Sequence, residues 1–217
     1  MKKISAILAA LAILSACSND PAKAWADYET AVKYLRGEGV ALDQAKGTEY
    51  LMRAAKEGSA DAKLALGFSY MKGRGVEKDL KRAFENFLAA AEQGLSDAQY
   101  NVGLSYIRAQ GTEKNYAKAA EWFEKSALQA DAGSQYNLGV MYFNGEGVTR
   151  NPVQAYVWFR LAADRYYDGA AEGMEKAKNS IPKEMLPELD RAVAKTASKI
   201  KSRTAPIPVG NWLNQPL

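Results

Sequence analysis

A spacing constrains this chain more than any single motif. Tyr34, Tyr70, Tyr106 and Tyr142 recur every 36 residues without gap or insertion, and the positions around them keep step. The stretch from Ala98 to Ala130 is the clearest copy of the unit. A period of this length is the signature of a solenoid, whose copies are too small to bury an apolar face alone and stack on their neighbours to do so.

Each copy reads as helix A, a glycine turn, helix B and a second turn. Helix A is expected over Ala26 to Arg36, Ser59 to Lys72, Ser96 to Ala109 and Asp131 to Asn144. The first turn carries Gly37 and Gly39, Gly73 and Gly75, Gly111 alone, then Gly145 and Gly147. A helix commonly ends on a residue at positive φ, the conformation glycine adopts without steric cost. Asp43, Asp79, Asn115 and Asn151 then share one repeat position and are good N-caps for helix B, with Pro152 at the favoured first helical site. Helix B runs to Gly58, Gly94 and Ala130. It carries a bulky row, Leu51, Phe87, Phe123 and Phe159, and a small row, Ala54, Ala90, Ser126 and Ala162. Within helix A, Gly67, Gly103 and Gly139 recur, with Ala31 in the first copy. Glycine inside a helix costs about 1 kcal/mol relative to alanine, so its recurrence predicts a backbone contact too close for a larger side chain.

The pattern L-G-x-x-Y-x-x-G-x-G-V, best seen at Leu138-Gly139 through Tyr142 to Val148, is followed by A-x-x-W-F-x-x-A-A around Trp122-Phe123 and Trp158-Phe159. It closely resembles the Sel-1-like repeat family, relatives of the tetratricopeptide repeat, over residues 26–166. The first copy lacks the helix A glycine, and the third has Ala109 and Thr112 where the pattern wants Gly and Val. The expected fold is therefore all-α: a right-handed α-solenoid of four 36-residue helix-turn-helix repeats with a C-terminal helical cap over 167–203. In that cap Gly169 to Asn179 reads as one more helix A. Lys183 to Arg203 reads as a helix broken or delayed by Pro182 and Pro187, with Leu186, Leu189, Val193 and Ile200 on one side. A cap is needed because an exposed last repeat leaves an apolar face in water. The tail, 204–217, contains Pro206, Pro208 and Pro216 and is expected to be extended, with Trp212 docked or free to meet a partner.

The first residues read as an address. Lys2 and Lys3 precede an apolar run from Ile4 to Leu14, too short for a final membrane span of about 20 residues, so 1–16 is expected to be a signal peptide. Leu14-Ser15-Ala16-Cys17 resembles the bacterial lipobox, which implies acylation of Cys17 and attachment to a lipid membrane. Ser18, by the sorting pattern it resembles, implies the outer membrane, with the body facing the periplasm. Residues 17–25 are then a lipidated tether. Two or three acyl chains anchor stably where one does not.

Composition excludes several functions. Cys17 is the single cysteine, so no internal disulfide forms and packing must hold the fold. Losing Lys2 and Lys3 lowers the formal charge from +4 by two, and no polybasic block remains, so no nucleic-acid partner is expected. The chain has no histidine, which excludes Ser-His-Asp and Cys-His catalysis and the usual zinc sites. Glu121 with Glu124, and Glu38 and Glu146 in the turns, are the carboxylates placed for acid–base work, but helical repeats scatter such residues over solvated faces. Gly73-Arg74-Gly75 follows a helix rather than a strand and lacks the rest of a phosphate loop. No cofactor and no enzymatic activity are expected.

Surface remains. In tetratricopeptide-like solenoids helix A lines a concave groove, and the resemblance maps that groove onto Leu64, Phe68, Met71 and Lys72; Tyr100, Leu104, Ile107 and Arg108; and Tyr136, Val140 and Phe143. Spacings of four and three residues put each set on one helical face. Aromatic anchors beside arginine are typical of interaction hot spots. The expected function is a non-catalytic module that binds a protein partner. Family resemblance implies an adaptor or scaffold, with neutralisation of a toxin delivered to the periplasm as the alternative. Peptidoglycan binding through the same tyrosines, or cell-wall catalysis as in cysteine-rich relatives, are the other classes, the last weakened by the missing cysteine pairs.

Overall fold

The structure is a computed structural model that describes residues 20–201, so Cys17, the signal peptide and the tail from Thr204 with Trp212 lie outside the described residues. Among the described residues there are ten α-helices, one 3-10 helix and no strand. The fold class is all-α, a repeat solenoid. The chain forms two compact units divided after Lys78.

The first unit holds α1 (Pro21–Arg36), α2 (Gln44–Lys56) and α3 (Ala60–Lys72), with α2 packed on both α1 and α3. Helix α1 begins earlier than the expected 26. Asp20 caps it by accepting from the amides of Ala22 and Lys23, and Pro21 occupies the first helical position, where its missing N–H is harmless. Residues 21–25, expected to lie outside the first helix, are therefore helical. Inside the unit, Tyr34 and Tyr50 stack with centroids 5.8 Å apart, while the buried Asp27 pairs with Arg53 at 3.0 Å.

The second unit holds α4 (Leu80–Ala91), α5 (Ser96–Arg108), α6 (Tyr116–Ala127), α7 (Ala132–Asn144), α8 (Pro152–Ala163), α9 (Ala170–Asn179) and α10 (Leu189–Ala197), the last preceded by a 3-10 turn at Lys183–Glu188. Successive helices from α4 to α9 pack on one another, and α10 closes on α8. The broken helix expected over 183–203 is this 3-10 turn followed by α10. Pro187 removes an amide that an α-helix needs, and the tighter turn accommodates it. Ile181 and Leu189 bury against Tyr156, Phe159 and Ala177, with Leu186 and Val193 beside them, which covers the end of the repeats as a cap must.

The predicted caps are all present. Asp43, Asp79, Asn115 and Asn151 accept from the amides of Lys46, Arg82, Lys118 and Gln154 at 2.9 to 3.1 Å. The amides of Asp43, Asn115 and Asn151 in turn donate to the carbonyls of Tyr34, Tyr106 and Tyr142, tying each loop to the tyrosine that marks the period. The turn after each helix A is a Schellman closure: the amides of Glu38, Arg74, Gln110 and Glu146 reach back to Lys33, Ser69, Ser105 and Met141 at 3.0 Å. The left-handed residue of that closure is Gly37, Gly73 or Gly145, and in the third copy Ala109, at φ 54°.

The second turn glycine has a separate task. A Cβ at Gly75 would strike the backbone and Thr48 of α2; one at Gly111 would strike Leu80 of α4; one at Gly147 would strike Tyr116 of α6. Each turn therefore rests on the first turn of helix B in the preceding repeat. Gly39, in the first copy, has nothing within 4 Å.

Candidate binding surface

The helix A rows were expected to face a partner, and burial divides them. Leu64 is 1% and Phe68 7% exposed, so both are core side chains and leave the accessible set. Met71 is half-buried and Lys72 exposed. Partial desolvation, with the Arg74 cation nearby, holds the Lys72 ammonium below the usual lysine value.

In the second unit the corresponding side chains stay partly accessible. Tyr100, Leu104 and Ile107 on α5 are half-buried and Arg108 is exposed; Tyr136, Val140 and Phe143 on α7 are half-buried. Their opposite face is complete without them. Val102 and Tyr106 of α5 and Leu138 and Met141 of α7 are buried. Gly103 and Gly139 let the rings of Phe123 and Phe159 lie directly on the helix backbones, as the recurrent glycine predicts.

The tyrosines are more deeply integrated than a groove anchor needs. Tyr100 packs on Phe123 with centroids 5.8 Å apart, and Tyr136 packs on Phe159 at 5.5 Å and Tyr167 at 5.1 Å. Burial, with Tyr167 and Asp131 adding to it, pushes the Tyr100 phenol up to about 12. Arg108 is the exposed side chain of these two rows, and Ile107 and Val140 are half-buried without a ring to anchor them.

A cavity opens on this surface. It has a volume of about 240 Å³ and is lined by Tyr136, Val140, Phe143 and Asn144 of α7, Phe159 of α8, and Gly169, Glu172, Gly173 and Lys176 at the start and along one side of α9. Gly173 forms its floor, since a Cβ there would meet the Phe159 ring at 2.7 Å. An ion pair between Glu172 and Lys176, 2.6 Å long, stands at its rim; each partner favours the charged form of the other.

Sequence reasoning missed a buried polar ladder beneath the surface. Gln99 and Gln135, one period apart, donate to the carbonyls of Ala91 and Ala127 at the ends of α4 and α6. Gln129 donates to both Gln99 and Gly94, and Ser96 and Ser126 pair at 2.9 Å. Gln99 and Gln135 thus add a second donor to helix-end carbonyls that also accept from the amides of Gly94 and Ala130. The candidate carboxylates Glu121 and Glu124 are exposed on α6, as is Glu38 in the first turn, where Arg36 pairs with it at 3.2 Å; Glu146 is half-buried. Among the described residues no group of acidic residues is placed to hold a metal ion, and no helix is long and apolar enough to cross a membrane.

Stacked helix pairs with a filled core and a residual apolar strip define a helical-repeat scaffold. The Sel1 repeat model matches residues 26–59, 60–95, 96–131 and 132–167, and the chain belongs to the Sel1 repeat family. Sel1 repeat proteins are generally protein-interaction scaffolds, and the family is typically non-catalytic. Among solved structures, the chain is similar to a protective antigen of uropathogenic Escherichia coli that displays an SLR fold. The TM-score is 0.72 at 30% identity, over 82% of this chain and 38% of that one. It is also similar to a Sel1 repeat protein from Oxalobacter formigenes, with TM-score 0.67 and 31% identity over 70% of this chain and 45% of that one. The chain thus spans less than half the length of either. No curated protein matches it in sequence.

Proposed function

We propose that this protein is a non-catalytic adaptor, anchored through acylated Cys17 in the outer membrane and facing the periplasm, that captures a protein partner on the helix A surface of its second unit. The observation that carries the reading is the strip of Leu104, Ile107, Val140 and Phe143. These side chains of α5 and α7 remain partly exposed, with the exposed Arg108 on α5, although the core behind them is filled. An apolar strip with an arginine at its edge suits a folded partner's edge or a helical segment. The lipobox-like Leu14-Ser15-Ala16-Cys17 supports the anchor.

The test is a crosslinked affinity capture from the native envelope, comparing the natural chain with Ile107→Glu/Val140→Glu, whose helicity is checked by circular dichroism. One protein enriched by the natural chain and lost with the variant is the expected result. Its identity separates a scaffold of an envelope complex from an immunity protein. Equal recovery by both proteins, or recovery of peptidoglycan fragments alone, would overturn the reading. Cys17→Ser is expected to move the chain out of the membrane fraction.

A further inference from the structure

We propose that the cavity between α7 and α9 is the receptor for the chain's own C-terminal tail, with Trp212 as the inserted side chain. This goes beyond the adaptor reading; Val140 and Phe143 belong to both the strip and the cavity, so a seated tail covers that end of the strip, and the test below is made without any partner. At about 240 Å³ the cavity falls below the roughly 300 Å³ lower bound of small-molecule sites. It suits a single large side chain. Its walls are Tyr136, Val140, Phe143 and Phe159, which offer ring faces and edges to an aromatic guest.

The tail has the matching chemistry. In a chain that is 25% charged, the fourteen residues from Thr204 to Leu217 contain no charged side chain, and Ile207, Val209, Trp212 and Leu213 lie between prolines. An uncharged segment rich in proline and apolar residues gains little from water, and binds aromatic-lined sites at low entropic cost because proline restricts it beforehand. Since the rim charges Glu172 and Lys176 satisfy each other, an uncharged guest leaves neither unpaired.

The chain also ends in the right place. The Lys201 amide donates to the Leu128 carbonyl at 2.9 Å, which fixes the start of the tail at the corner between α6 and α7. Tyr136 lies eight residues from Leu128 and so within about 29 Å even if that stretch were fully extended. Trp212 lies eleven residues beyond Lys201, an extended reach of about 36 Å. The tail therefore spans the distance with slack.

The test uses the detergent-purified full chain with a benzoylphenylalanine photo-crosslinker in place of Trp212, irradiated and mapped by mass spectrometry. Crosslinks within one chain to peptides of α7 or α9, falling at least fivefold with Val140→Glu, are the expected result. Crosslinks only between chains would overturn the proposal in favour of docking on a second copy. Crosslinks elsewhere in the chain, or none, would overturn it outright. Should Val140→Glu fail to fold, the map from the natural cavity still decides.

Discussion

The Phe123 ring lies flat against the α5 backbone at Gly103, so close that a Cβ on residue 103 would sit 2.6 Å from Cε1. The same relation joins Gly139 to Phe159. The first repeat places Ala31 and Leu51 at the equivalent positions, both fully buried, so a smaller partner in helix B accompanies a larger residue in helix A. Gly103→Ala gains about 1 kcal/mol of helix propensity but overpacks a rigid buried ring, at about 1–3 kcal/mol. A net loss of about 1 kcal/mol is expected in urea unfolding followed by circular dichroism. Adding Phe123→Leu should recover it, giving a favourable coupling energy of about 1 kcal/mol or more. Additive effects would show that ring and backbone are not in the contact described.

The two glycines of each turn respond differently to alanine. Gly39→Ala meets only the strain of a left-handed backbone, about 1 kcal/mol, because nothing lies within 4 Å of the new Cβ. Gly147→Ala meets the same strain and also strikes the backbone of Tyr116, which cannot move without lifting the turn from the preceding repeat. It should cost about 3 kcal/mol or more, with earlier amide exchange at the start of α6. Similar losses for the two variants would mean that the turn does not carry the contact between repeats.

Much of this was legible in the sequence because the repeat multiplies every signal. Asp43, Asp79, Asn115 and Asn151 predict their caps correctly, and Gly103 and Gly139 predict the close contact with the helix B rings. Other features were not legible, for physical reasons. Leu64 and Phe68 sit at the register positions of Tyr100 and Leu104, yet only the latter pair is left partly exposed, because accessibility depends on what packs alongside and not on the helix itself. Gln99 and Gln135 look like solvated residues until they are seen to donate, from buried positions, to the last carbonyls of α4 and α6; their exact separation of one period was the available signal. The start of α1 was not legible from the repeat pattern, because the Asp20 cap and Pro21 that begin it lie before the first copy.

Ala109 is the one helix A terminus where a residue other than glycine holds the left-handed position, at φ 54°. Its N–H still closes on Ser105, so the turn is formed against steric resistance from the Cβ. Ala109→Gly removes a strain of about 1–2 kcal/mol and returns part of it through the greater freedom of glycine in the unfolded chain, about 0.4–1 kcal/mol. A net gain of about 0.5–1 kcal/mol is expected, read as a higher urea midpoint with an unchanged slope. The same substitution at the helical Ala98 should destabilise, which controls for a general effect of glycine.

Tyr100 links the surface strip to alkaline stability. Its phenol is pushed up to about 12 from an ordinary value of 10.0, first by burial and then by Tyr167 and Asp131. The neutral form is therefore favoured in the folded state, and the unfolded chain loses this proton at lower pH than the folded one. The resulting stabilisation is fully present below about pH 10 and is lost as pH rises from there through about 12. Because the ring is only partly buried, solvent screening reduces the effect. Tyr100→Phe keeps the packing on Phe123 and removes the titration. The variant should lose less stability between pH 9 and 11.5 than the natural protein, and its tyrosinate absorbance should lack one late-titrating phenol. Identical pH profiles for the two proteins would show that the Tyr100 hydroxyl is as well solvated folded as unfolded, and that α5 and α7 hold it less tightly than the ring contacts indicate.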